Sequence, residues 1–149
     1  MRRNILILML IATFFSFTGV SWAKMVSIKS DRVRIRSGPG TGYSVLYEVF
    51  AGYPLKVLRQ KGKWARVVDF EGDIGWTYRP LLSNARTVIV SQRGGNINIR
   101  SGPGTRYKVK GQAEYGVVFR LLEKKGGWAK VRHDNGLTGW IHRKLLWGD

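Results

Sequence analysis

Cysteine is absent from all 149 residues. That excludes a disulfide framework, thiolate-bound zinc and a cysteine nucleophile, and it leaves the fold dependent on its apolar core. Acids are scarce, 9 against 26 Lys and Arg, and the formal charge of +17 points to an anionic surface or polymer as partner. Histidine occurs twice, as His133 and His142, and neither stands beside a serine motif that would pair a nucleophile with a base. Glycoside hydrolysis needs two carboxyls roughly 5–10 Å apart with one pKa raised by burial. The acids here fall in turns or among basic residues, so the chain is read as non-enzymatic, with no cofactor. Asp69, Glu71 and Asp73 gather three carboxylates, but the second half offers His133, Asp134 and Asn135 at the matching turn, so a solvated hairpin tip is expected and no metal site.

Long apolar runs are also lacking, with one exception. Met1-Arg2-Arg3-Asn4 is short and positive, Ile5 to Val20 is almost purely apolar, and Ser21-Trp22-Ala23 ends on small residues spaced for cleavage. Residues 1–23 are read as an export signal cut after Ala23, which lowers the formal charge to about +15 because two Arg and no acid leave. The alternative is a retained anchor, although a run of about 16 residues is slightly short of the ~20 that span a bilayer. Membrane contact is then expected through this segment alone, and the remainder is expected in the periplasm, outside the cell or on the cell wall.

The rest of the chain is one unit written twice. Arg36-Ser-Gly-Pro-Gly-Thr41 recurs as Arg100-Ser-Gly-Pro-Gly-Thr105, and the same shift carries Tyr43 onto Tyr107, Trp64 onto Trp128 and Gly75-Trp76 onto Gly139-Trp140. Between 33–82 and 97–146 roughly 22 of 50 pairs are identical without a gap, which is the signature of a duplicated domain. The joint near Ser83-Asn84-Ala85-Arg86 has no Pro, Gly or long polar stretch, so limited freedom between copies is expected.

Within a copy the hydrophobic period is two. Leu55/Val57, Ala65/Val67 and Thr77 alternate with polar or aromatic neighbours, as do Phe119/Leu121, Ala129/Val131 and Ile141. Lys61-Gly62, Glu71-Gly72, Gly126-Gly127 and Asp134-Asn135-Gly136 supply the turns, the last with an Asn-Gly pair suited to positive φ. Five or so short strands in about 60 residues predict a small, strongly bent barrel whose thin stability margin leans on large aromatics.

The order Val33-Arg-Ile-Arg-Ser-Gly-Pro-Gly-Thr-Gly-Tyr43, then Gly52, Gly62-Lys-Trp64-Ala-Arg-Val67, Gly75-Trp76 and Leu81-Leu82 resembles the bacterial SH3-like domain, and both copies match. The resemblance implies an all-β chain of two tandem small SH3-like β-barrels, over 24–84 and 85–149, after an N-terminal signal helix over 1–23. It implies a long loop from Ser37 to Ser44 and from Ser101 to Lys108. Members of this family are exported modules that commonly bind cell-wall peptidoglycan. The family's Asn before the hydrophobic-Arg-Ser-Gly-Pro run is kept as Asn98 and replaced by Arg34.

Strand alternation places Trp64 and Arg66 on the face opposite Ala65 and Val67, and Trp128 and Lys130 opposite Ala129 and Val131. Flat rings beside cations suit stacking on sugars or gripping an anionic peptide. Trp76 with Tyr78, and Trp140 with His142, form a second pair of stripes, and Tyr43 and Tyr107 at the loop tips can close a groove. The competing reading is that a tiny barrel uses its Trp residues to cap its ends. The expected partner is peptidoglycan. An adaptor docking an exported enzyme or a proline-rich segment is the alternative, and export argues against nucleic acid.

Overall fold

The computed structural model describes residues 23–149, so the export segment read over residues 1–23 lies outside the described residues except for Ala23. Among the described residues no helix is long and apolar enough to cross a membrane.

Each copy forms one seven-stranded antiparallel sheet, where about five strands are expected from the pattern. The first holds β1 (Lys24–Ile28), β2 (Val33–Arg36), β3 (Val45–Val49), β4 (Pro54–Lys61), β5 (Trp64–Val68), β6 (Ile74–Tyr78) and β7 (Leu82–Ser83). The second holds β8 (Thr87–Val90), β9 (Ile97–Arg100), β10 (Val109–Ala113), β11 (Val118–Lys125), β12 (Trp128–Arg132), β13 (Thr138–His142) and β14 (Leu146–Trp147). The strand order is identical, β3-β2-β6-β5-β4-β1-β7 and β10-β9-β13-β12-β11-β8-β14. One surplus strand in each copy is the two-residue β7 or β14, too short to show a period.

The alternation decides which face is dry. Ile35, Leu55, Ala65, Val67 and Thr77 are buried in the first sheet, as are Ile99, Phe119, Ala129, Val131 and Ile141 in the second. The expected inward residues are therefore inward, and Trp64, Arg66, Trp128 and Lys130 take the outer face, each only partly covered. Gly75 is required by close approach, since a Cβ there would lie 2.3 Å from Ile35 Cγ2. At the β12–β13 turn only Gly136 takes positive φ, at 91°, and Asn135 does not; its side chain instead accepts a hydrogen bond from the Leu137 amide at 3.0 Å.

The β5–β6 turn departs from the solvated tip expected for it. Asp69 is only 4% exposed, and its Oδ1 accepts from the amides of Glu71 at 3.0 Å and Asp73 at 2.9 Å. A carboxylate satisfied by backbone N–H groups shapes the turn and has little capacity left for a cation. Among the described residues no group of three His, Cys, Asp or Glu is placed to hold a metal ion.

The two sheets are joined by more than the linker. Val88 and Val90 of β8 face the second core, whereas Ile89 between them belongs to the first. Ile89 lies opposite Val118 of β11 and Trp147 of β14, and both of these also pack against the first core. One row on the outside of the second sheet thus completes the inside of the first.

Candidate functional site

The Ser-Gly-Pro-Gly loops are held by the arginine that precedes each of them. Arg36 Nη1 donates to the carbonyls of Thr41 at 3.0 Å and Tyr43 at 2.9 Å, and Arg100 Nη1 does the same to Thr105 at 2.9 Å and Tyr107 at 3.0 Å. Within the loop a Cβ on Gly38 would lie 2.2 Å from the Tyr43 ring, and one on Gly102 would lie 2.4 Å from the Tyr107 ring. Glycine here makes room for a tyrosine folded back on its own loop, a reading close to the rigid reversal that Pro and Gly impose.

Between this loop, the β1–β2 turn and the ends of β5 and β6 lies a groove of about 870 Å³. Arg34, Arg36, Thr41, Trp64, Tyr78 and Leu81 are among its walls. The second copy repeats it, with Asn98, Arg100, Thr105, Trp128, His142 and Leu145 around about 480 Å³. In both, an aromatic pair forms one wall because the two positions are directly opposite in register: Trp64 with Tyr78 at 5.7 Å, and Trp128 with His142 at 5.1 Å between ring centroids. His142 Nδ1 also accepts from the Lys144 amide at 3.3 Å, which orients the ring.

The opposite wall differs between the copies. Arg34 and Glu48, exposed and 3.3 Å apart, form an ion pair in the first groove. At the matching positions of the second copy, Gln112 donates to Asn98 at 3.1 Å, an uncharged amide pair of which Asn98 lines the groove.

Of the ten residues expected at a binding surface, the grooves gather Trp64, Tyr78, Trp128 and His142. Tyr107 lines an adjoining depression of about 550 Å³ that also touches Trp128 and His142, while Tyr43 is not among the walls of the first groove. Arg66 and Lys130 stand on the sheet face beside the grooves, outside their walls. Trp76 and Trp140 do not meet the expectation of rings offered to solvent. They are 7% and 8% exposed, covered by Arg59 at 5.1 Å and Lys130 at 6.0 Å from their ring centroids. The alternation is right about their face, but cations fold over it, Lys130 from the adjacent β12 and Arg59 from β4, two strands away.

Sequence reasoning missed Arg34 with Glu48, and Asn98 with Gln112. The signal was present, because the period that turns Val33 and Ile35 inward turns Arg34 and Arg36 outward.

Comparison with known proteins bears on this geometry. Models of the bacterial SH3 domain match residues 29–84 and, separately, residues 95–146. Over 145 residues, 91% of this chain, the sequence is 29% identical to "Putative N-acetylmuramoyl-L-alanine amidase YrvJ" of Bacillus subtilis (strain 168), and it spans 28% of that protein's length. Among solved structures, an NlpC/P60 family protein from Bacillus cereus ATCC 10987 aligns with 14% identity and a TM-score of 0.39, covering 83% of this chain and 56% of that one. The endolysin LysPBC5 CBD aligns with 17% identity and a TM-score of 0.34, covering 83% of this chain and 92% of that one. The chain belongs to the bacterial SH3 domain family, of which it carries two copies in tandem.

Proposed function

We infer that this chain is a non-catalytic binding module of the exported cell envelope that docks on peptidoglycan through its two grooves. The observation that carries this reading is that one groove is built twice, each time with an aromatic pair against a rigid glycine loop. Rings of this kind stack on sugars or pack on an extended peptide, and the surplus of cations favours a polymer that carries carboxylates. The similarity to a protein named for an amidase acting on N-acetylmuramoyl-L-alanine supports the same substrate surroundings. That relative is more than three times as long, and its activity is not carried over. Two modest sites on a short, stiff joint give avidity on a repeating polymer.

The test is sedimentation of the purified chain with isolated wall sacculi. Truncating a buried aromatic anchor costs about 2 kcal/mol, roughly 30-fold in affinity. Trp64→Ala with Trp128→Ala should therefore abolish co-sedimentation while circular dichroism remains that of the folded chain, and high salt should reduce binding only in part. Complete release at moderate salt, with the Trp variants indistinguishable from wild type, refutes the reading. Capture of a single exported protein at fixed stoichiometry, with no retention on sacculi, replaces it with an adaptor role.

A further inference from the structure

The outer face of β4, β5 and β6 carries a row of side chains that the groove does not use. Arg59 and Arg66 stand directly opposite each other across β4 and β5, and Trp76 lies opposite Arg66 on β6. The Arg59 guanidinium sits over the Trp76 ring at 5.1 Å. Arg36, opposite Trp76 on β2, is committed to the loop carbonyls. Among the described residues, the three ion pairs formed involve neither Arg59 nor Arg66.

Like charges directly opposite in an antiparallel pair destabilise it. The second copy avoids this: the matching pair is Glu123 opposite Lys130, with Lys130 over Trp140. The aromatic ring, a cation at the Arg66 position and the neighbouring Arg100 are retained there, whereas the β4-type position changes sign and the ring is covered from β12 instead. The fold therefore accommodates an acid at this position, yet the first copy holds a second guanidinium instead.

We propose that Arg59 and Arg66, over Trp76, form a binding site for a phosphomonoester on the first copy. Each guanidinium is a planar fork that takes two oxygens of one anion. A carboxylate or a phosphodiester carries a single charge on two free oxygens and leaves one of the two cations unneutralised. A phosphomonoester dianion has three free oxygens and two charges, which satisfies both forks and neutralises both cations. Lys61 opposite Trp64 and Lys56 opposite Val68 stand in the rows on either side, so the field remains positive around the site. The ligand is a monoester carried on a larger molecule, such as a sugar phosphate, since the face is open along the strands. This site is separate from the groove and does not rest on the peptidoglycan reading.

The experiment is titration of the full purified chain with inorganic phosphate, glucose 1-phosphate, dimethyl phosphate and acetate at fixed ionic strength, followed by calorimetry and by the Trp and Arg side-chain NMR signals. Inorganic phosphate and glucose 1-phosphate should bind within a few-fold of each other with one site per chain, and dimethyl phosphate and acetate at least tenfold more weakly. Arg59→Glu copies the second repeat's pairing, so it should lower phosphomonoester affinity at least tenfold while leaving the melting temperature unchanged or higher. Glu123→Arg together with Lys130→Arg should create the site in the second copy and raise the stoichiometry to two. Equal binding of all four anions, binding of inorganic phosphate without glucose 1-phosphate, or full affinity in Arg59→Glu each overturns the proposal. Trp64→Ala, outside this row, should leave phosphomonoester binding intact.

Discussion

The Tyr115 hydroxyl of the second copy donates a hydrogen bond to the Glu71 carboxylate of the first. Arg93, also of the second copy, meets the same carboxylate at 2.9 Å and lies 4.8 Å from the centre of the Tyr115 ring, while Phe70 packs on that ring at 5.2 Å. These contacts sit on the rim, and Ile89, 1% exposed, is the buried plug. Deleting a buried Ile side chain to Ala costs about 2–5 kcal/mol through lost burial and the cavity left behind. Ile89→Ala should therefore destabilise the first core although it lies in the second copy's sequence. Hydrogen exchange that accelerates first in β1, β4 and β5 is the expected readout, and a fragment ending at Arg86 should fail to reach native stability. Equal acceleration confined to β8 and its own sheet would contradict a shared core.

Gly38 and Gly102 are not at positive φ, so their role is steric and their substitution is informative. An added Cβ would overlap the Tyr43 or Tyr107 ring, which must swing away while Arg36 and Arg100 still hold the loop carbonyls. Gly38→Ala with Gly102→Ala should change the near-ultraviolet dichroism of the tyrosines and weaken wall binding by about tenfold, with overpacking costing about 1–3 kcal/mol of stability. Wild-type binding in this variant would show that the loop conformation is immaterial to the groove.

Two tyrosines of the first copy predict how stability changes in alkali. Burial, followed by the nearby Asp69 charge, raises the pKa of both Tyr47 and Tyr53 well above the ordinary 10.0. A group that holds its proton more tightly when folded gives its full contribution below the unfolded pKa and loses it as pH rises beyond. The denaturant midpoint should thus be insensitive to these groups through pH 7–9 and fall above about pH 10. Tyr53→Phe, which loses only a long 3.4 Å bond to Asp69 Oδ2, should cost about 1 kcal/mol at neutral pH and flatten that alkaline fall. The second copy has Gly111 and Val117 at these positions, so exchange above pH 10 should rise first in the first sheet.

How far the sequence reveals the molecule depends on the range of each interaction. The duplication and the inward set at Ala65, Val67, Ala129 and Val131 depend only on spacing along the chain, and they are legible. The pairing of Trp64 with Tyr78 needs a register that puts residues 14 apart opposite each other, which the alternation allows but does not specify. Covering of Trp76 by Arg59 depends on a side chain of β4 reaching over β5 to β6, and no local pattern carries it. Ile89 is the sharpest case. It alternates with Val88 and Val90 like any outward residue, and only the neighbouring copy makes it core.

Thr77 is fully buried, and its hydroxyl finds no hydrogen-bond partner among the described residues. Ile141 holds the matching position in the second copy, equally buried and without a polar atom to satisfy. An unpaired buried hydroxyl costs about 1–3 kcal/mol, whereas a methyl of the same shape costs nothing in hydrogen bonding. Thr77→Val should therefore stabilise the chain by about 1 kcal/mol at constant denaturant m-value. The groove lies on the opposite face of β6, where Tyr78 rather than Thr77 contributes, so wall binding should be unchanged. A loss of stability in this variant would mean that the hydroxyl is satisfied by a buried water, and crystallography of the wild type would then locate that water beside Thr77.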